Sequence, residues 1–350
     1  MARASGELCR ALAARGHAVT VATAQLDPAD ALEEDGAGVR VVRFPGPAAL
    51  RRRLVPWARG LRAFLGATLR DVDVVHLHGH RNPLVWTASR AASRALVPCV
   101  LSPEGTFPDH GQRRIEKLVF DRLAGDAIVA RADAVLAVSA AEARDLPRAA
   151  EIVPNGVVAP GVARPAATGA RPPRVLFVGS DRPQKRAAAL PRVLGQLPGV
   201  ELDLVGPCAG ALAAFGADAR RVRALGVLSG DALATAYAEA DVLLHPAVGE
   251  AFGLVPFEAA LLGTASVVAG GHGCGEWFAR AGGCVVPADD PDAMARAAAA
   301  RLAAGALRDR EARDVAAFAR RELTWERAAE AVTGVYERAL AARRDRRVAR

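Results

Sequence analysis

The chain has 350 residues, of which 51% are hydrophobic, so it can form two domains of ordinary size with large buried cores. No apolar run approaches the roughly 20 residues that span a bilayer, and the opening MARASGELCR lacks the apolar centre of a signal peptide, so we expect a soluble, cytoplasmic protein. Five scattered cysteines without a C-x-x-C pair argue against a disulfide framework or zinc knuckle, and the net charge of +8 comes almost wholly from arginine, whose abundance in a composition typical of a GC-rich genome is weak evidence for nucleic-acid binding, so no nucleic-acid partner is expected.

The chain opens on a helix-like stretch, ASGELCRALAARG, that stops at Gly16 and leads into the strand-like run HAVTVATA. A doubly wound domain normally starts with a strand. We therefore expect the annotated start to lie inside the gene, with a strand and its glycine turn upstream of Met1.

The next segment, Arg51 to Arg70, mixes arginines with Leu, Val, Trp and Phe at amphipathic spacing. An ordinary surface helix whose apolar face packs inward explains this pattern. The same pattern also fits peripheral contact with an anionic membrane, at the inner membrane face.

Strand-like apolar runs alternate with helix-like stretches along the whole chain. In the first half they are HAVTVATA, VRVVRF, DVVHLHG, CVLSPEG, AVLAVS and EIVPNGV. In the second half they are RVLFVG, ELDLVG, VRALGV, DVLLHP, ASVVAG and CVVPAD. This alternation predicts α/β domains with parallel sheets and right-handed crossovers.

A stretch rich in Pro, Gly and Ala, Gly161 to Pro173, separates the two halves and is typical of a linker. The sequence therefore predicts two Rossmann-like, doubly wound parallel-sheet domains facing a cleft. The predicted ranges are an N-terminal domain over 1–160, a linker over 161–173, a C-terminal domain over 174–325, and a helix over 326–350 that packs back toward the N-terminal domain.

Polar side chains follow two strand-like runs of the first half. His78 ends DVVHLHG, and Glu104 follows CVLS. Because open α/β sheets bind ligands at the carboxyl ends of their strands, His78 is a candidate for contact with substrate. His76, His78 and His80 alternate, but the chain turns at Gly79 and no carboxylate or cysteine follows at ligand spacing, so no metal site is expected.

The second half contains two further loops after strands. RVLFVGSDRPQKR places Arg182 and Lys185 after one strand, and GEAFGLVPFEAALLGT follows the strand DVLLHP. Within the latter, Pro256 suits a first helical position and Gly263 suits the residue past a helix end. Glu258 is therefore predicted in the first helical turn, with Glu250 on the loop before it.

The residues just before this helix have N–H groups without intrahelical partners, which can bind an anion. These residues are Phe252, Gly253 and Leu254. Lys185 nearby would complete a diphosphate clamp, and Glu250 and Glu258 can accept hydrogen bonds from hydroxyls. This chemistry suits a nucleotide that is joined through diphosphate to a hydroxyl-rich group.

The paired glutamates resemble the E-x7-E signature of the family-4 retaining glycosyltransferases, which have the GT-B fold. The likeness runs through ALAARGHAVTV, DVVHLHG, AVLAVS, IVPNGV, the lysine of DRPQKR and LGVLSGDALATAYAEADVLLHP. It implies that Glu258 binds the nucleotide ribose, Glu250 the donor sugar and Lys185 the diphosphate.

The resemblance also implies that the backbone around Gly226, Val227 and Leu228 meets the base, and that the acceptor binds the first domain near His78. No cofactor or metal is implied, because the nucleotide-diphosphate sugar is the co-substrate. The implied donor is UDP- or GDP-linked, and the acceptor is a glycan, a lipid-linked sugar or a small molecule.

Two positions depart from the family pattern. Ser180 stands where an arginine often follows the glycine, and Arg182 is the nearest replacement for its charge. Glu104 stands where the family commonly has a histidine that touches the donor sugar, so the recognised hydroxyls differ. We predict Glu250, Lys185, Arg182 and Glu104 as the catalytic residues.

The sequence thus predicts a retaining, metal-independent glycosyltransferase of the hexosyltransferase type. Two alternatives use the same donor pocket. One is a GT-B nucleotide-sugar epimerase, which needs no separate acceptor, and the other is a degenerate subunit that binds nucleotide sugar without turnover.

Overall fold

The computed structural model of the chain describes residues 2–47, 58–107, 114–158, 161 and 171–348. The chain forms two compact units. Unit 1 comprises Met1–Val138, Glu142–Gly156 and Trp325–Arg350, and unit 2 comprises Ser139–Ala141 and Val157–Thr324. Both units are built on parallel strands with helices between them, so the two-domain α/β architecture expected from the sequence is confirmed.

The first elements of the chain belong to unit 1. They are α1 (Ala2–Ala14), β1 (Val19–Ala24), β2 (Glu33–Gly36), β3 (Val39–Phe44), α2 (Leu61–Thr68), β4 (Val75–His78) and α3 (Pro83–Ala95). They continue with β5 (Cys99–Ser102), α4 (Arg114–Phe120), α5 (Asp126–Arg131), β6 (Ala134–Ala137), α6 (Ala140–Arg144) and β7 (Glu151–Ile152), and only the first two residues of α6 are assigned to unit 2. A single π-helical turn, Asp121–Gly125, joins α4 to α5.

The next elements form unit 2. They are β8 (Arg174–Val178), α7 (Leu190–Gly195), β9 (Glu201–Val205), β10 (Val222–Gly226), α8 (Gly230–Glu239), β11 (Val242–His245) and α9 (Val255–Leu261). They end with β12 (Ala265–Ala269), α10 (Gly273–Arg280), β13 (Cys284–Val286), α11 (Pro291–Ala303) and α12 (Gly305–Glu322). The final helix, α13 (Trp325–Val348), returns to unit 1.

The described part of unit 1 contains two sheets. In one, β3 pairs with β1 in parallel and with β2 in antiparallel fashion. The other has the order β4-β5-β6-β7 and is parallel throughout. The carboxyl ends of β4 and β5 are adjacent, because His78 is in register with Ser102. The loops after these two strands therefore meet at one edge.

Unit 2 contains one six-stranded parallel sheet of order β10-β9-β8-β11-β12-β13. Successive residues of its strands pack into different clusters. Val175 and Phe177 lie in one buried cluster, whereas Leu176 lies in another, and β11 repeats this alternation. Because side chains alternate across a strand, both faces of the sheet are covered by helices, as in a doubly wound fold.

Helix ends follow local sequence rules. The Asn82 side chain accepts a hydrogen bond from the Leu84 N–H at the start of α3, with Pro83 in the first helical position. The Asp290 carboxylate caps α11 in the same way, and Pro291 follows it. These caps satisfy donors that a helix leaves unpaired.

The last helix completes a core of unit 1. On α13, Trp325, Val332 and Val335 are buried in a cluster with Leu8 and Leu12 of α1. The first and the last helix of the chain therefore share one apolar interior.

Three predicted segments fall partly outside the described residues: 51–57 of the basic segment, 162–170 of the linker and 349–350 of the last helix. In the described part of the basic segment, Leu61, Leu65 and Leu69 are buried in the core of unit 1. Among the described residues, no helix is long and apolar enough to cross a membrane.

Candidate functional site

The strand order of unit 2 locates its candidate site. Reading outward from β8, the chain proceeds through β9 to one edge, and from β11 through β13 to the other. Open α/β sheets bind ligands beyond the carboxyl ends of the strands where the order reverses in this way. The loops after β8 and β11 meet there, because the Val248 N–H donates to the Gln184 carbonyl at 2.8 Å.

These two loops bring together the predicted sugar and diphosphate residues. The Lys185 ammonium donates to Oε1 of Glu250, and Oε2 of the same carboxylate lies 2.7 Å from Nε2 of His245. His245 is the last residue of β11 and is 1% exposed. The Glu250 carboxylate is thus held from both sides, by Lys185 of the loop after β8 and by His245 at the end of β11.

Burial determines the protonation of this cluster. Burial lowers the pKa of His245 well below its ordinary value, and the nearby Lys185 lowers it further. We infer a neutral imidazole that carries its proton on Nε2, because only that tautomer can donate to Glu250. Burial also lowers the pKa of Lys185, and the nearby Arg182 guanidinium lowers it further.

Cys274, in the first turn of α10, borders the same cluster. Ligand atoms of His245, Glu250 and Cys274 lie within 4.8 Å of one another, a spacing that could hold a metal ion. However, the Lys185 ammonium contacts the same carboxylate, and burial raises the pKa of the Cys274 thiol to about 12. In this arrangement, the positive charge beside Glu250 comes from the lysine.

Glu258 lies in the first turn of α9, as the sequence predicts, with Pro256 at the start of that helix. Its side chain is 4% exposed, and Oε2 accepts a hydrogen bond from the Tyr237 hydroxyl at 2.9 Å. Tyr237 lies on α8, which follows the predicted base-binding backbone. The tyrosine therefore fixes the direction of this carboxylate.

The three residues before α9 behave differently from one another. Phe252 is 3% exposed and stacks on Phe257 with ring centroids 5.8 Å apart, so its side chain belongs to the core. Gly253 has a φ of +75°, and a Cβ there would lie 2.6 Å from Cys274 Sγ and 2.7 Å from Glu250 Oε2. Leu254 is the N-cap of α9, and its carbonyl accepts from the Glu258 N–H at 3.0 Å.

The predicted base-binding stretch follows β10. Gly226 ends this strand with a φ of +69°, and its carbonyl accepts a hydrogen bond from the Gly206 N–H at 2.7 Å. Val227 is 75% exposed, and Leu228 packs against the cluster that contains Tyr237. The stretch thus exposes Val227, and the next residue, Leu228, packs near the tyrosine that holds Glu258.

The arginines next to Lys185 have different surroundings. Arg182 is exposed, and its backbone N–H lies 3.4 Å from the Ser180 hydroxyl. Arg186 binds the Ala288 carbonyl and the Asp289 carboxylate. Arg182 is therefore the more exposed of the two arginines next to Lys185.

The two predicted residues of unit 1 contact each other. His78 Nδ1 pairs with Oε1 of Glu104, which stands two residues after β5. Glu104 has a φ of +52°, a conformation that a residue with a side chain seldom adopts. Backbone strain of this kind is concentrated at functional sites in proteins.

A buried polar network supports this pair. The ring of His76 lies 4.3 Å from that of His78 and hydrogen-bonds Ser102 Oγ and the Tyr336 hydroxyl, both at 2.7 Å. Burial lowers the pKa of His76 well below its ordinary value, so this ring is neutral. Glu142 accepts from the Gly105 N–H at 2.6 Å and so fixes the turn that carries Glu104.

The structure brings Lys185 and Glu250 into contact in unit 2 and His78 and Glu104 into contact in unit 1. Glu258 lies in the helix that follows the Glu250 loop and is held by Tyr237. Sequence reasoning missed His245 and Tyr237, which hydrogen-bond the glutamates, and Cys274, which lies beside Glu250. For His245 a signal existed, since it ends the strand that leads into the Glu250 loop. Tyr237 and Cys274 come from helices and carried no comparable signal.

Two family matches cover most of the chain. Residues 1–160 match the glycosyl transferase 4-like domain, and residues 172–304 match the glycosyl transferases group 1. A search of the curated proteins finds no match to this chain.

Solved structures share the fold. A sucrose-phosphate synthase from Thermosynechococcus elongatus matches with a TM-score of 0.77 and 23% identity, covering 96% of this chain and 92% of that one. HepE from Anabaena, in complex with UDP-glucose, matches with a TM-score of 0.70 and 16% identity, covering 95% of both chains. An OtsA apo structure matches with a TM-score of 0.72 and 12% identity, also over 95% of both.

Proposed function

Because this chain is a glycosyltransferase of the GT-B type, with a 4-like domain followed by a group 1 domain, we propose that it transfers a sugar from a nucleotide-diphosphate donor with retention of anomeric configuration. The observation that carries the proposal is the Lys185–Glu250–His245 cluster beyond β8 and β11. A retaining outcome is supported by the E-x7-E pattern of Glu250 and Glu258.

The donor diphosphate binds Lys185 in this proposal. Its negative charge draws the ammonium away from Glu250, whose carboxylate then accepts hydrogen bonds from hydroxyls of the donor sugar. His245 keeps that carboxylate in place throughout, since its Nε2–H contact does not involve the lysine. Glu258, oriented by Tyr237, binds the ribose hydroxyls.

The chemistry depends on stabilising the departing diphosphate. As the glycosidic bond stretches, negative charge gathers on the phosphate oxygen, and Lys185 and Arg182 stabilise it more than they stabilise the intact donor. Because these side chains supply the positive charge, we propose a metal-independent reaction. Activity that survives exhaustive chelation supports this proposal, and activity restored only by a divalent ion contradicts it.

UDP-linked sugars are the first donors to test, because HepE, which has the same fold, is bound to UDP-glucose. A thermal-shift panel of UDP-, GDP- and ADP-sugars measures binding, since a ligand at about 100 times its dissociation constant adds about 2.7 kcal/mol of stability. No stabilisation by any sugar nucleotide contradicts the proposal.

Product analysis then separates transfer from its alternatives. Incubation of the stabilising donor with candidate acceptors, followed by NMR of the anomeric proton, identifies the product and its configuration. A donor converted alone to an isomer indicates an epimerase. Binding without turnover indicates a binding subunit, which the Ser180 and Glu104 departures from the family pattern favour over the epimerase.

A further inference from the structure

Three side chains of the types that bind transition metals meet beyond the carboxyl end of β11. They are His245, Glu250 and Cys274, and their nitrogen, oxygen and sulfur ligand atoms all lie within 4.8 Å of one another. His245 ends β11, Glu250 lies on the loop after it, and Cys274 lies in the first turn of α10. We call this set the thiol site. The thiol itself has no role in the transfer reaction proposed above.

The types of ligand indicate which ion fits the thiol site. Thiolate, imidazole and carboxylate are the ligands that zinc takes in proteins, whereas magnesium and calcium take oxygen ligands. A tetrahedral zinc ion, with bonds of about 2.0 to 2.3 Å, holds its ligand atoms about 3.3 to 3.6 Å apart. His245 Nε2 lies 2.7 Å from Glu250 Oε2, and the sulfur lies within 4.8 Å of both ligands. Shifts of about 1 Å therefore reach the geometry that zinc requires.

The backbone leaves space beside two of these ligands. A Cβ on Gly253 would lie 2.6 Å from Cys274 Sγ and 2.7 Å from Glu250 Oε2. The volume that a side chain would fill at this position is therefore bordered by the thiol and the carboxylate. The side chains of Lys185 and Glu250 are 28% and 15% exposed, so the thiol site is reached from solvent past them.

The two oxygens of the Glu250 carboxylate have different partners. Oε2 faces His245, whereas Oε1 accepts from the Lys185 ammonium. An ion on Oε2 therefore leaves Lys185 in contact with the other oxygen of the same carboxylate. Carboxylates that bind metals are commonly hydrogen-bonded in this way, which orients them. Together, the carboxylate and a thiolate balance the charge of a divalent ion.

We propose that the thiol site binds Zn²⁺, with His245 Nε2, Glu250 Oε2 and Cys274 Sγ as its protein ligands and an open fourth position. On binding, the thiol releases its proton to solvent, and the imidazole exchanges its Nε2 proton for one on Nδ1, so that Nε2 can bind the ion. All three ligands belong to unit 2, so the site is complete within that unit.

Bound zinc also has a consequence for the proposed reaction. The ion occupies the carboxylate oxygen of Glu250 that the donor sugar needs, so we expect zinc to inhibit transfer. Binding of the ion goes beyond the proposed function and does not depend on it, whereas the inhibition rests on it. The two are therefore measured separately.

The test of binding uses the full chain without any sugar nucleotide. Metal-free, reduced protein is titrated with Co²⁺, because a cobalt–thiolate bond gives a charge-transfer absorption band that cobalt bound only by nitrogen and oxygen lacks. We expect a saturable band in the wild-type protein, and its loss when Zn²⁺ is added, because zinc favours tetrahedral sites that contain thiolate. Competition with a chromophoric chelator then gives the affinity for zinc.

Cys274→Ser removes the sulfur and keeps the size of the side chain. We expect this variant to lose the cobalt–thiolate band and its affinity for zinc to fall at least about tenfold. Cys208→Ser is the matched control, because both cysteines are 0% exposed and belong to unit 2, and Cys208 lies outside the thiol site. Far-UV circular dichroism and thermal melting check that both variants are folded.

No cobalt–thiolate band in the wild-type protein, or an undiminished band in Cys274→Ser, overturns the inference. X-ray absorption of the zinc-loaded wild-type protein adds a check that needs no variant. A sulfur neighbour at about 2.3 Å from zinc supports the site, and a shell of nitrogen and oxygen alone overturns it.

Turnover with the donor found by thermal shift measures the inhibition. We expect zinc to lower turnover of the wild-type protein and of Cys208→Ser by a larger factor than that of Cys274→Ser. Equal factors in all three proteins contradict inhibition through the thiol site. A cobalt–thiolate band without stabilisation by any sugar nucleotide supports the site and contradicts the proposed function. Turnover without such a band supports the proposed function and overturns the site.

Discussion

At the scale of single residues, the proposed reaction depends most on Lys185. Removing its ammonium by Lys185→Ala is expected to lower turnover by roughly 10² to 10³, because charge on the departing diphosphate loses its nearest cation. Steady-state turnover with the donor found by thermal shift measures this. Arg192→Ala is the control, because Arg192 forms an exposed ion pair with Asp292 on the same unit. Equal turnover in the Lys185→Ala variant and the control would remove the lysine from the mechanism.

The Lys185–Glu250 ion pair gives a second prediction at this scale. In Glu250→Gln, the Lys185 ammonium does not have to break an ion pair before it binds a diphosphate. We therefore expect the free nucleoside diphosphate to bind about fivefold more tightly, which is a gain of about 1 kcal/mol in binding free energy. Turnover falls, because the carboxylate that holds the donor sugar is lost. Calorimetry with UDP, or with whichever diphosphate stabilises the protein, measures the first effect. Weaker binding of this diphosphate in the variant contradicts the competition between donor and glutamate.

At the scale of elements, the turn before α9 depends on a glycine for two reasons that can be separated. Gly253→Ala would place a Cβ at a φ of +75° and into contact with Cys274 and Glu250. Gly199, in the same unit, has a φ of +72° with no atom within 4 Å of such a Cβ. We expect Gly199→Ala to cost about 1 kcal/mol of stability, and Gly253→Ala to cost more and to lower turnover as well.

Urea unfolding of both variants measures these free energies. Equal losses in the two variants would show that only the backbone conformation matters at Gly253. Full activity of Gly253→Ala would show that the Glu250 carboxylate tolerates displacement.

Elements with a strong apolar pattern could be predicted from the sequence, and an exposed strand without that pattern could not. Every predicted apolar run contains a strand, and Glu258 lies in the first turn of its helix as expected. The strand β2, with sequence EEDG, is exposed throughout and has no apolar alternation. It pairs with β3 in antiparallel register, and Glu33 and Glu34 form exposed ion pairs with Arg40 and Arg43 of β3, at 3.0 and 2.8 Å.

The candidate site shows the same division. Lys185 and Glu250 occur in recognisable loops after strands, and Glu258 in the first turn of the helix that follows, so their side of the sheet could be predicted. Tyr237 and Cys274 lie near the glutamates but belong to other helices. Contacts of this kind depend on how the helices pack on the sheet, and no local sequence pattern indicates them. The strained backbone at Glu104 is likewise set by surrounding contacts such as the Glu142 hydrogen bond to Gly105.

At the scale of the whole molecule, buried histidines make stability depend on pH. Burial lowers the pKa values of His76, His80, His245 and His272. Below about pH 6.5 the unfolded chain binds protons that the folded chain does not, so each histidine lowers the free energy of unfolding by up to about 1.4 kcal/mol per pH unit. Burial raises the pKa of Glu142, and protonation of this carboxyl on acidification raises the free energy of unfolding. This is one group, whereas four histidines act in the opposite direction.

We therefore expect the thermal midpoint to be lower at about pH 5.5 than at about pH 7.5. Differential scanning calorimetry at constant ionic strength measures the change and separates the two units if they unfold independently. A midpoint that stays constant or rises on acidification contradicts the assignment of these histidines as neutral in the folded state.

The sharing of one interior by α1 and α13 also has a consequence for biosynthesis. A ribosome releases the amino end first, so Leu8 and Leu12 emerge long before Trp325, Val332 and Val335, which cover them. We expect a polypeptide stopped after Thr324 to yield far less soluble material than one stopped after Arg344, as measured by fractionation of expressing cells. Equal yields would mean that the apolar residues of α1 are buried without α13. Synthesis of unit 1 thus starts before that of unit 2 and is completed after it, and any delay between them lengthens the time during which Leu8 and Leu12 lack their apolar partners.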